Sequence, residues 1–225
     1  MTPPVPQPFP WAARAGINAL IELDPAFAAI EAAAGLLPWR IRPQGFPGLL
    51  QAIMAQQISN QAASAIWRRL AMLPGAVTPD GMLALDDEQL RGAGLSRPKM
   101  AHSRALAAAF SEGRLDVAAL DAMDDAEAIA AIVSVRGLGP WTAEVYLLFA
   151  HQRMDVFPAG DIAVAGAAAA LKGLAVRPGP IELRRMAEAW KPYRALAARL
   201  LWHHWRHMTG RPAMDELPGA EGATP

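Results

Sequence analysis

The stretch VRGLGPWTAEVYLLFA, from Val135 to Ala150, decides the fold that the sequence predicts. Its pattern predicts a helix that ends at Val135, a tight turn over Gly137-Leu138-Gly139, and a second helix that begins at Pro140. A leucine between two conformationally free glycines is expected to point into the core. The N–H groups after the turn should face outward, where the helix dipole favours an anion such as a DNA phosphate. The alternative is a plain helical hairpin that uses glycine only as its cap.

Outward from this hairpin, nearly the whole chain is predicted to be helical. Alanine, leucine and methionine dominate, and no segment alternates apolar and polar residues as a half-buried strand does. Cap and breaker residues predict about ten short helices, which begin near Asp24, Phe46, Ser59, Thr78, Leu85, Arg97, Asp124, Pro140, Asp161, Pro180 and Pro192. Short helices joined by short loops indicate an all-α protein.

Composition excludes several classes of protein. The 225 residues are 53% hydrophobic and 19% charged, which is incompatible with a generally disordered chain. The absence of cysteine excludes disulfides, thiolate zinc sites, a cysteine nucleophile and cysteine-ligated iron–sulfur clusters. The N-terminus MTPPVPQPFP does not resemble a signal peptide, and no apolar run approaches the roughly 20 residues that span a bilayer. We therefore expect a soluble cytoplasmic protein with no membrane partner.

Charge is balanced overall but unevenly distributed. There are 21 basic and 21 acidic residues. Basic residues concentrate between Arg91 and Phe110 and again between Arg177 and Pro212, whereas acidic residues gather between Asp116 and Glu127. This segregation is compatible with one basic face that binds nucleic acid, and equally with ordinary solvated helix faces.

Two further segments carry residues that are suited to chemistry. In DVFPAGDIAV, from Asp155 to Val164, Asp161 opens a helix of small residues. An aspartate there is by itself most simply an N-cap, and a cap also fixes the orientation of a catalytic carboxylate. Trp202 and Trp205 share a predicted helix face, either in the core or as the wall of a pocket that stacks a planar ring. The His203-His204 pair does not indicate a metal site, because adjacent positions point to different helix faces.

These features occur together with FPGLLQAIMAQQISNQAASAIW (46–67) and AEAWKPYRALAARLLW (187–202). The combination resembles the helix–hairpin–helix base excision DNA glycosylases, in particular the 3-methyladenine DNA glycosylase II branch. The resemblance implies an all-α fold of two helical subdomains with a cleft between them. It divides the chain into an N-terminal segment that packs with the C-terminal helices (1–45), a helical bundle (46–160) with the hairpin at about 128–150, the catalytic-aspartate and C-terminal helices (161–212), and a tail (213–225). The residues before Phe46 are too few for the sheet domain that precedes this fold in a bacterial form of the branch.

The resemblance implies the chemistry of the site. Asp161 matches the essential aspartate, whose anion stabilises the positive charge that develops on the sugar as the glycosidic bond breaks. The same carboxylate orients or deprotonates the attacking water. Trp141 stands where bifunctional relatives carry a Schiff-base lysine, which implies a monofunctional enzyme that leaves an abasic site.

The resemblance also implies a pocket for a base that has left the stack. Trp141, Trp202 and Val145 would wall this pocket, with Val145 in place of a tyrosine found in relatives. An indole attracts the positive charge of an alkylated ring, so the implied substrates are 3-methyladenine and 7-methylguanine, and in an open pocket also 1-methyladenine and 3-methylcytosine. Gln56 and Gln57 match the loop that fills the gap left in the duplex, with Gln57 at the wedge position.

The implied partner is damaged double-stranded DNA, bound by a monomer. The hairpin would grip a phosphate through Gly137, Gly139 and Thr142. The carbonyl groups of Val135 and Gly137 would share a monovalent cation with it. No side chain would ligate a metal, and no other cofactor is expected.

Two alternative functions belong to other classes of protein. A non-catalytic helix–hairpin–helix module would keep the phosphate clamp without turnover. A helical protein-interaction domain would leave the glycine hairpin, Asp161 and the tryptophans unrelated to one another. Asp161 discriminates against the binding module, since a pure binder has no need of a carboxylate at that place.

Overall fold

The computed structural model describes residues 11–210, apart from the side chains of Trp11 and Asn60. All regular structure in this range is helical, with two 3-10 helices at Pro25–Phe27 and Glu188–Trp190. The α-helices are α1 (Trp11–Leu23), α2 (Ala28–Ala34), α3 (Gly45–Ala55), α4 (Asn60–Ala71), α5 (Pro79–Ala84), α6 (Asp87–Gly92), α7 (Arg97–Ser111), α8 (Val117–Ala122), α9 (Asp125–Val133), α10 (Pro140–Phe149), α11 (Ile162–Leu171), α12 (Pro180–Ala187) and α13 (Arg194–Thr209). The predicted all-α fold class is confirmed. None of these helices is long and apolar enough to cross a membrane. The predicted tail lies outside the described residues.

Most helices begin where the sequence predicts, because their cap residues bind the first turn. The side chain of the N-cap residue accepts a backbone N–H at Ser59, Thr78, Asp86, Ser96, Asp116, Asp124 and Asp161. The caps of α6 and α9 are full capping boxes, in which Gln89 and Glu127 bind back to the cap. These local bonds are encoded in short stretches of sequence, which is why they can be predicted.

Two helices, α1 and α8, were not predicted from the sequence. In α1 the buried residues Ala13, Ile17 and Leu20 recur at helical spacing, and this periodicity was the available signal. Helix α8 has only six residues and a single buried leucine, Leu120, so its periodicity is too short to recognise. Its cap at Asp116 was the one local indication.

The described chain divides into two compact units, which hold residues 11–41 with 147–210 and residues 42–146. In the first unit α13 packs against α1, α2 and α11. The ring of Trp190 is buried there and meets Phe27 and Phe157 edge to face. The predicted division kept 46–160 together, whereas the structure changes unit inside α10, between Tyr146 and Leu147. At the end of α10, the Leu148 carbonyl accepts a hydrogen bond from Arg199 of α13, at 2.9 Å.

The second unit is built around α7. This helix packs against α3 and α5, and α3 also contacts α4. The start of α3 is attached to α10 by the N–H of Gly45, which donates to Tyr146 Oη at 2.7 Å. Burial raises the pKa of Tyr146 to about 12, so its hydroxyl stays protonated at neutral pH. These contacts make α3, α7 and α10 the frame that carries the hairpin and the loop after α3.

Candidate active site

The glycine hairpin has the predicted form, with its first helix two residues shorter than expected. Helix α9 ends at Val133, and Val135 already belongs to the turn, where its N–H donates to the Ile132 carbonyl at 3.1 Å. The N–H of Leu138 closes the turn on the Val135 carbonyl at 3.1 Å. Both Val135 and Leu138 are buried, so their side chains fix the hairpin to the core.

The two glycines of the turn differ in their surroundings. Gly137 has φ +94°, and a Cβ atom there would overlap the imidazole ring of His102 on α7. Only glycine fits this position without displacing its neighbour. Gly139 has no atom within 4 Å of the place where a Cβ would lie. Neither glycine N–H donates a hydrogen bond within residues 11–210, which leaves both available to an anion.

The loop after α3 carries Gln56 and Gln57. Helix α3 ends at Ala55, and Gln56 after it is extended, with ψ 128°. Gln57 is exposed and has φ +59°, a left-handed conformation that is uncommon outside glycine. Gln56 is half-buried, and its Nε2 donates to the Gly137 carbonyl at 2.9 Å. The structure therefore brings Gln56 and the hairpin together and leaves Gln57 at the exposed tip.

Asp161 is the N-cap of α11, as the sequence predicts. Its Oδ1 accepts hydrogen bonds from the N–H groups of Ala163 at 2.8 Å and Val164 at 2.9 Å. Its own N–H donates to the Pro158 carbonyl at 2.9 Å, which closes the preceding loop. The residue is half-exposed, while Val164 is fully buried. The carboxylate is thus held in one orientation at the end of a buried helix.

An ion pair that the sequence analysis missed anchors the loop before Asp161. Arg194 donates through Nε to Asp155 Oδ1 and through Nη2 to Asp155 Oδ2, each at 2.9 Å. Arg194 Nη1 also binds Glu188 at 3.0 Å. The available signal was the arginine of the W-K-P-x-R pattern together with an aspartate six residues before Asp161.

Trp202 belongs to a stack of side chains in the first unit, which we call the aromatic stack. The ring of Trp202 stacks on Phe149, with centroids 5.6 Å apart. The guanidinium of Arg199 belongs to the same stack. Its central carbon lies 4.4 Å from the ring centroid of Phe149 and 4.1 Å from the ring centroid of Trp39. Arg199 is buried and donates to the carbonyl groups of Arg40 and Leu148. Trp202 was predicted from the sequence, whereas Trp39 and Phe149 were not, because they lie far from it along the chain. Arg199, three residues before Trp202 on α13, was also missed.

The remaining predicted residues lie in the first part of α10 and in α13. Trp141 is 39% exposed, whereas Thr142 and Val145 are buried. Trp205 packs on α11, where a Cβ at Gly166 would overlap its ring, so Trp205 is a packing residue.

The adjacent histidines His203 and His204 of α13 have different surroundings. His203 Nε2 lies 2.9 Å from the Gly35 carbonyl, which gives this ring a structural partner. Burial lowers the pKa of the neighbouring His204. No group of three or more histidine, aspartate or glutamate side chains suited to a metal ion occurs among residues 11–210.

Comparison with known proteins gives this geometry a context. A DNA-3-methyladenine glycosylase of Saccharomyces cerevisiae is 35% identical over 130 residues, which are 53% of this chain and 44% of the yeast protein. The chain thus spans less than half the length of that relative. A crystal structure of a DNA-3-methyladenine glycosidase from Bacillus halodurans superimposes with a TM-score of 0.79 at 29% identity, over 87% of this chain and 91% of that one.

A 3-methyladenine DNA glycosylase of Schizosaccharomyces pombe, solved in complex with abasic DNA, has the same fold. Its TM-score is 0.74 at 26% identity, over 85% of this chain and 95% of that one. The family model for HhH-GPD superfamily base excision DNA repair proteins matches residues 50–192, a range that includes the loop of Gln56 and Gln57, the hairpin and Asp161. Because this match covers more than half of the sequence, the chain belongs to the HhH-GPD superfamily of base excision DNA repair proteins.

Proposed function

We propose that this protein is a monofunctional DNA glycosylase that excises alkylated bases from double-stranded DNA, acting as a monomer. The observation that carries the proposal is Asp161, whose carboxylate is held by two backbone N–H groups at the start of α11. The family match and the names of the relatives support the reaction class.

The reaction needs an anion near the sugar. As the bond between C1′ and the base nitrogen breaks, its electron pair leaves with the base and neutralises the charge on the alkylated ring. Positive charge develops on C1′ and the ring oxygen of the deoxyribose, where the Asp161 carboxylate stabilises it. Water then attacks C1′ and gives up a proton to this carboxylate, so the products are a free base and an abasic sugar.

Strand cleavage through a Schiff base would need a free lysine amine. The chain has three lysines, and each ammonium has a partner. Lys99 binds three backbone carbonyl groups, Lys172 binds Asp24, and Lys191 binds Glu188 at 2.7 Å. At the position after the hairpin stands Trp141, which has no amine. These observations support hydrolysis without lyase chemistry.

We assign the grip on DNA to the hairpin. The N–H groups of Gly137 and Gly139 are suited to one phosphate, since the space around Gly139 is open. The buried Thr142 would add only its backbone. The carbonyl groups of Val135 and Gly137 each accept one hydrogen bond, from Leu138 and Gln56, and an oxygen with two lone pairs retains room for a monovalent cation. Such an ion would add positive charge beside the phosphate.

We assign base recognition to stacking on exposed aromatic surface rather than to hydrogen bonds with the edge of the base. Trp141 is 39% exposed, and its indole face attracts a cationic ring. Trp202 stays a predicted wall residue. Apolar walls discriminate weakly by shape, so alkylated bases that carry a positive charge are expected to share the site. We therefore propose 3-methyladenine and 7-methylguanine as substrates, with 1-methyladenine and 3-methylcytosine as a wider range. Val145 stays a predicted wall residue.

Release of free base tests the proposal. Duplexes that each carry one of the four lesions are incubated with excess protein, the released base is quantified, and alkali then reveals abasic sites. The expected result is release of at least 3-methyladenine and 7-methylguanine, with strand breaks only after alkali. Tight binding to the lesion duplexes without release of any base would instead identify a non-catalytic DNA-binding module.

A further inference from the structure

The buried ammonium of Lys99 lies beneath the loop that carries Gln56 and Gln57. Lys99 belongs to the first turn of α7 and is only 8% exposed. Its Nζ donates to the carbonyl groups of Ile53 at 2.7 Å, Met54 at 2.8 Å and Gln56 at 3.1 Å. An ammonium has three N–H donors, so each donor of Lys99 has an acceptor.

These acceptors are carbonyl groups at the C-terminal end of α3. A helix leaves its last carbonyl groups without intrahelical partners, and its dipole attracts a cation there. Helices commonly satisfy these groups with a glycine after the helix, which carries no charge. Here a lysine is buried instead, at a desolvation cost that lowers its pKa.

Lys99 fixes the backbone directly before Gln57, the residue expected at the wedge position. Directly after the last carbonyl that Lys99 binds, Gln57 adopts φ +59° and projects into solvent. A non-glycine residue in this conformation is strained and persists only where its surroundings impose it. The three bonds to Lys99 supply such surroundings on the preceding residues.

The same face of α7 also supports the hairpin. His102 follows Lys99 by three residues, which places both on one side of the helix. The imidazole of His102 packs against Gly137, and the Gln56 side chain links the loop to the Gly137 carbonyl at 2.9 Å. Within the second unit, helix α7 therefore holds the loop of Gln56 and Gln57 in a fixed position relative to the hairpin of residues 135–139.

We propose that Lys99 is a positioning residue that holds Gln57 in the conformation in which it enters the duplex and fills the space of the flipped base. This inference rests on the proposed function and adds a requirement specific to double-stranded DNA. A single strand has no stacked partner to be separated, so its lesion reaches the site without the wedge. Loss of Lys99 should therefore impair duplex repair selectively.

The test compares Lys99→Met with Lys172→Met as a matched control. The control removes a partly buried lysine and its ion pair with Asp24, in the first unit. Single-turnover release of 7-methylguanine is measured from a duplex and from the same lesion strand alone. A second probe, independent of catalysis, is a duplex with a tetrahydrofuran abasic-site analogue opposite 2-aminopurine, whose fluorescence rises when the wedge unstacks it.

For Lys99→Met we expect the duplex rate to fall at least about tenfold, the single-strand rate to stay within about threefold, and the fluorescence rise at saturating protein to be lost. Lys172→Met should leave the ratio of the two rates and the fluorescence unchanged. Equal loss on both substrates, no loss, or a retained fluorescence rise overturns the inference. If Lys99→Met does not fold, Lys99→Gln, which keeps two donors without the charge, undergoes the same comparison against the same criteria.

The outcome separates this inference from the proposed function. A wild-type protein that releases no base, yet raises the fluorescence in a way that Lys99→Met abolishes, would contradict glycosylase activity and support the positioning role. If the wild type releases base and Lys99→Met leaves the ratio of duplex to single-strand rates unchanged, glycosylase activity is supported and the positioning role of Lys99 is contradicted.

Discussion

Arg194 holds Asp155 through two parallel hydrogen bonds, each 2.9 Å long, at a point six residues before Asp161. Planar guanidinium and carboxylate groups pair in this way with a fixed mutual geometry. The bond joins the loop that leads to Asp161 to the first turn of α13, the helix that also carries Trp202. In the first unit, the carboxylate and the aromatic stack are thereby connected to one helix.

Replacing Arg194 by Lys should slow catalysis more than it weakens binding. A lysine keeps the charge but loses the two-point bond, so the loop before Asp161 gains freedom. We expect base release to fall about tenfold, since small misplacements of reacting groups are costly. Single-turnover rates and affinity for abasic-analogue DNA provide the measurement. Arg114→Lys, at an exposed ion pair with Glu112, is the matched control, and an equal loss there would argue against a specific role for Arg194.

The open surroundings of Gly139 predict that charge, and not size, decides DNA binding at this position. Gly139→Ala should bind DNA as the wild type does, because apart from residues 138–140 no atom lies within 4 Å of the added methyl group. Gly139→Asp should weaken binding to lesion and undamaged duplexes alike, since its carboxylate repels the phosphate and phosphate contacts carry no sequence information. Fluorescence anisotropy at fixed salt measures both. A loss confined to lesion DNA would contradict the phosphate role.

Gly137 differs from Gly139, because its replacement should damage the fold itself. Gly137→Ala combines positive φ, which costs about 1–3 kcal/mol for a residue with a side chain, with an overlap against His102. We expect a lower free energy of unfolding by at least that strain, measured by urea denaturation. The double variant Gly137→Ala with His102→Ala should recover part of the loss. A Gly137→Ala variant as stable as the wild type would contradict the close contact between Gly137 and the His102 ring.

Acid should weaken the first unit through Asp24. Burial raises the pKa of this carboxyl, but hydrogen bonds from Lys172 and Trp190 outweigh that effect and the pKa is lowered overall. A carboxyl with a lowered pKa in the folded state stabilises the protein above its unfolded pKa of about 4, and this contribution disappears as the pH falls through the folded value. Asp24→Asn should therefore lower Tm at pH 7, with a difference from wild type that shrinks towards pH 3. A difference that is independent of pH would rule out this linkage.

Features encoded in short stretches of sequence could be predicted, and those formed by distant residues could not. The cap at Asp161 and the buried Leu138 follow from their immediate neighbours. At the end of α3, the Gln56 carbonyl is bound by Lys99, which lies 43 residues further along the chain. Arg199 likewise donates a hydrogen bond to the Arg40 carbonyl, 159 residues earlier in the chain, and no local sequence pattern predicts such a contact. The resemblance to a family identified Trp141 and Trp202, whose roles in the pocket remain predictions.

The central claim is that the Asp161 carboxylate, and not merely its capping bond, carries out base excision. Asp161→Asn separates the two, since asparagine caps a helix as well as aspartate but has no charge. Asp116→Asn makes the same change at the exposed cap of α8 and serves as the control.

The decisive measurement is single-turnover release of 7-methylguanine from duplex DNA by Asp161→Asn, with affinity for the abasic-analogue duplex measured in parallel. We predict that release falls by about a thousandfold or more, while Tm and affinity stay close to wild type and Asp116→Asn remains fully active. Release within about tenfold of the wild-type rate, by a folded Asp161→Asn protein, would contradict the account.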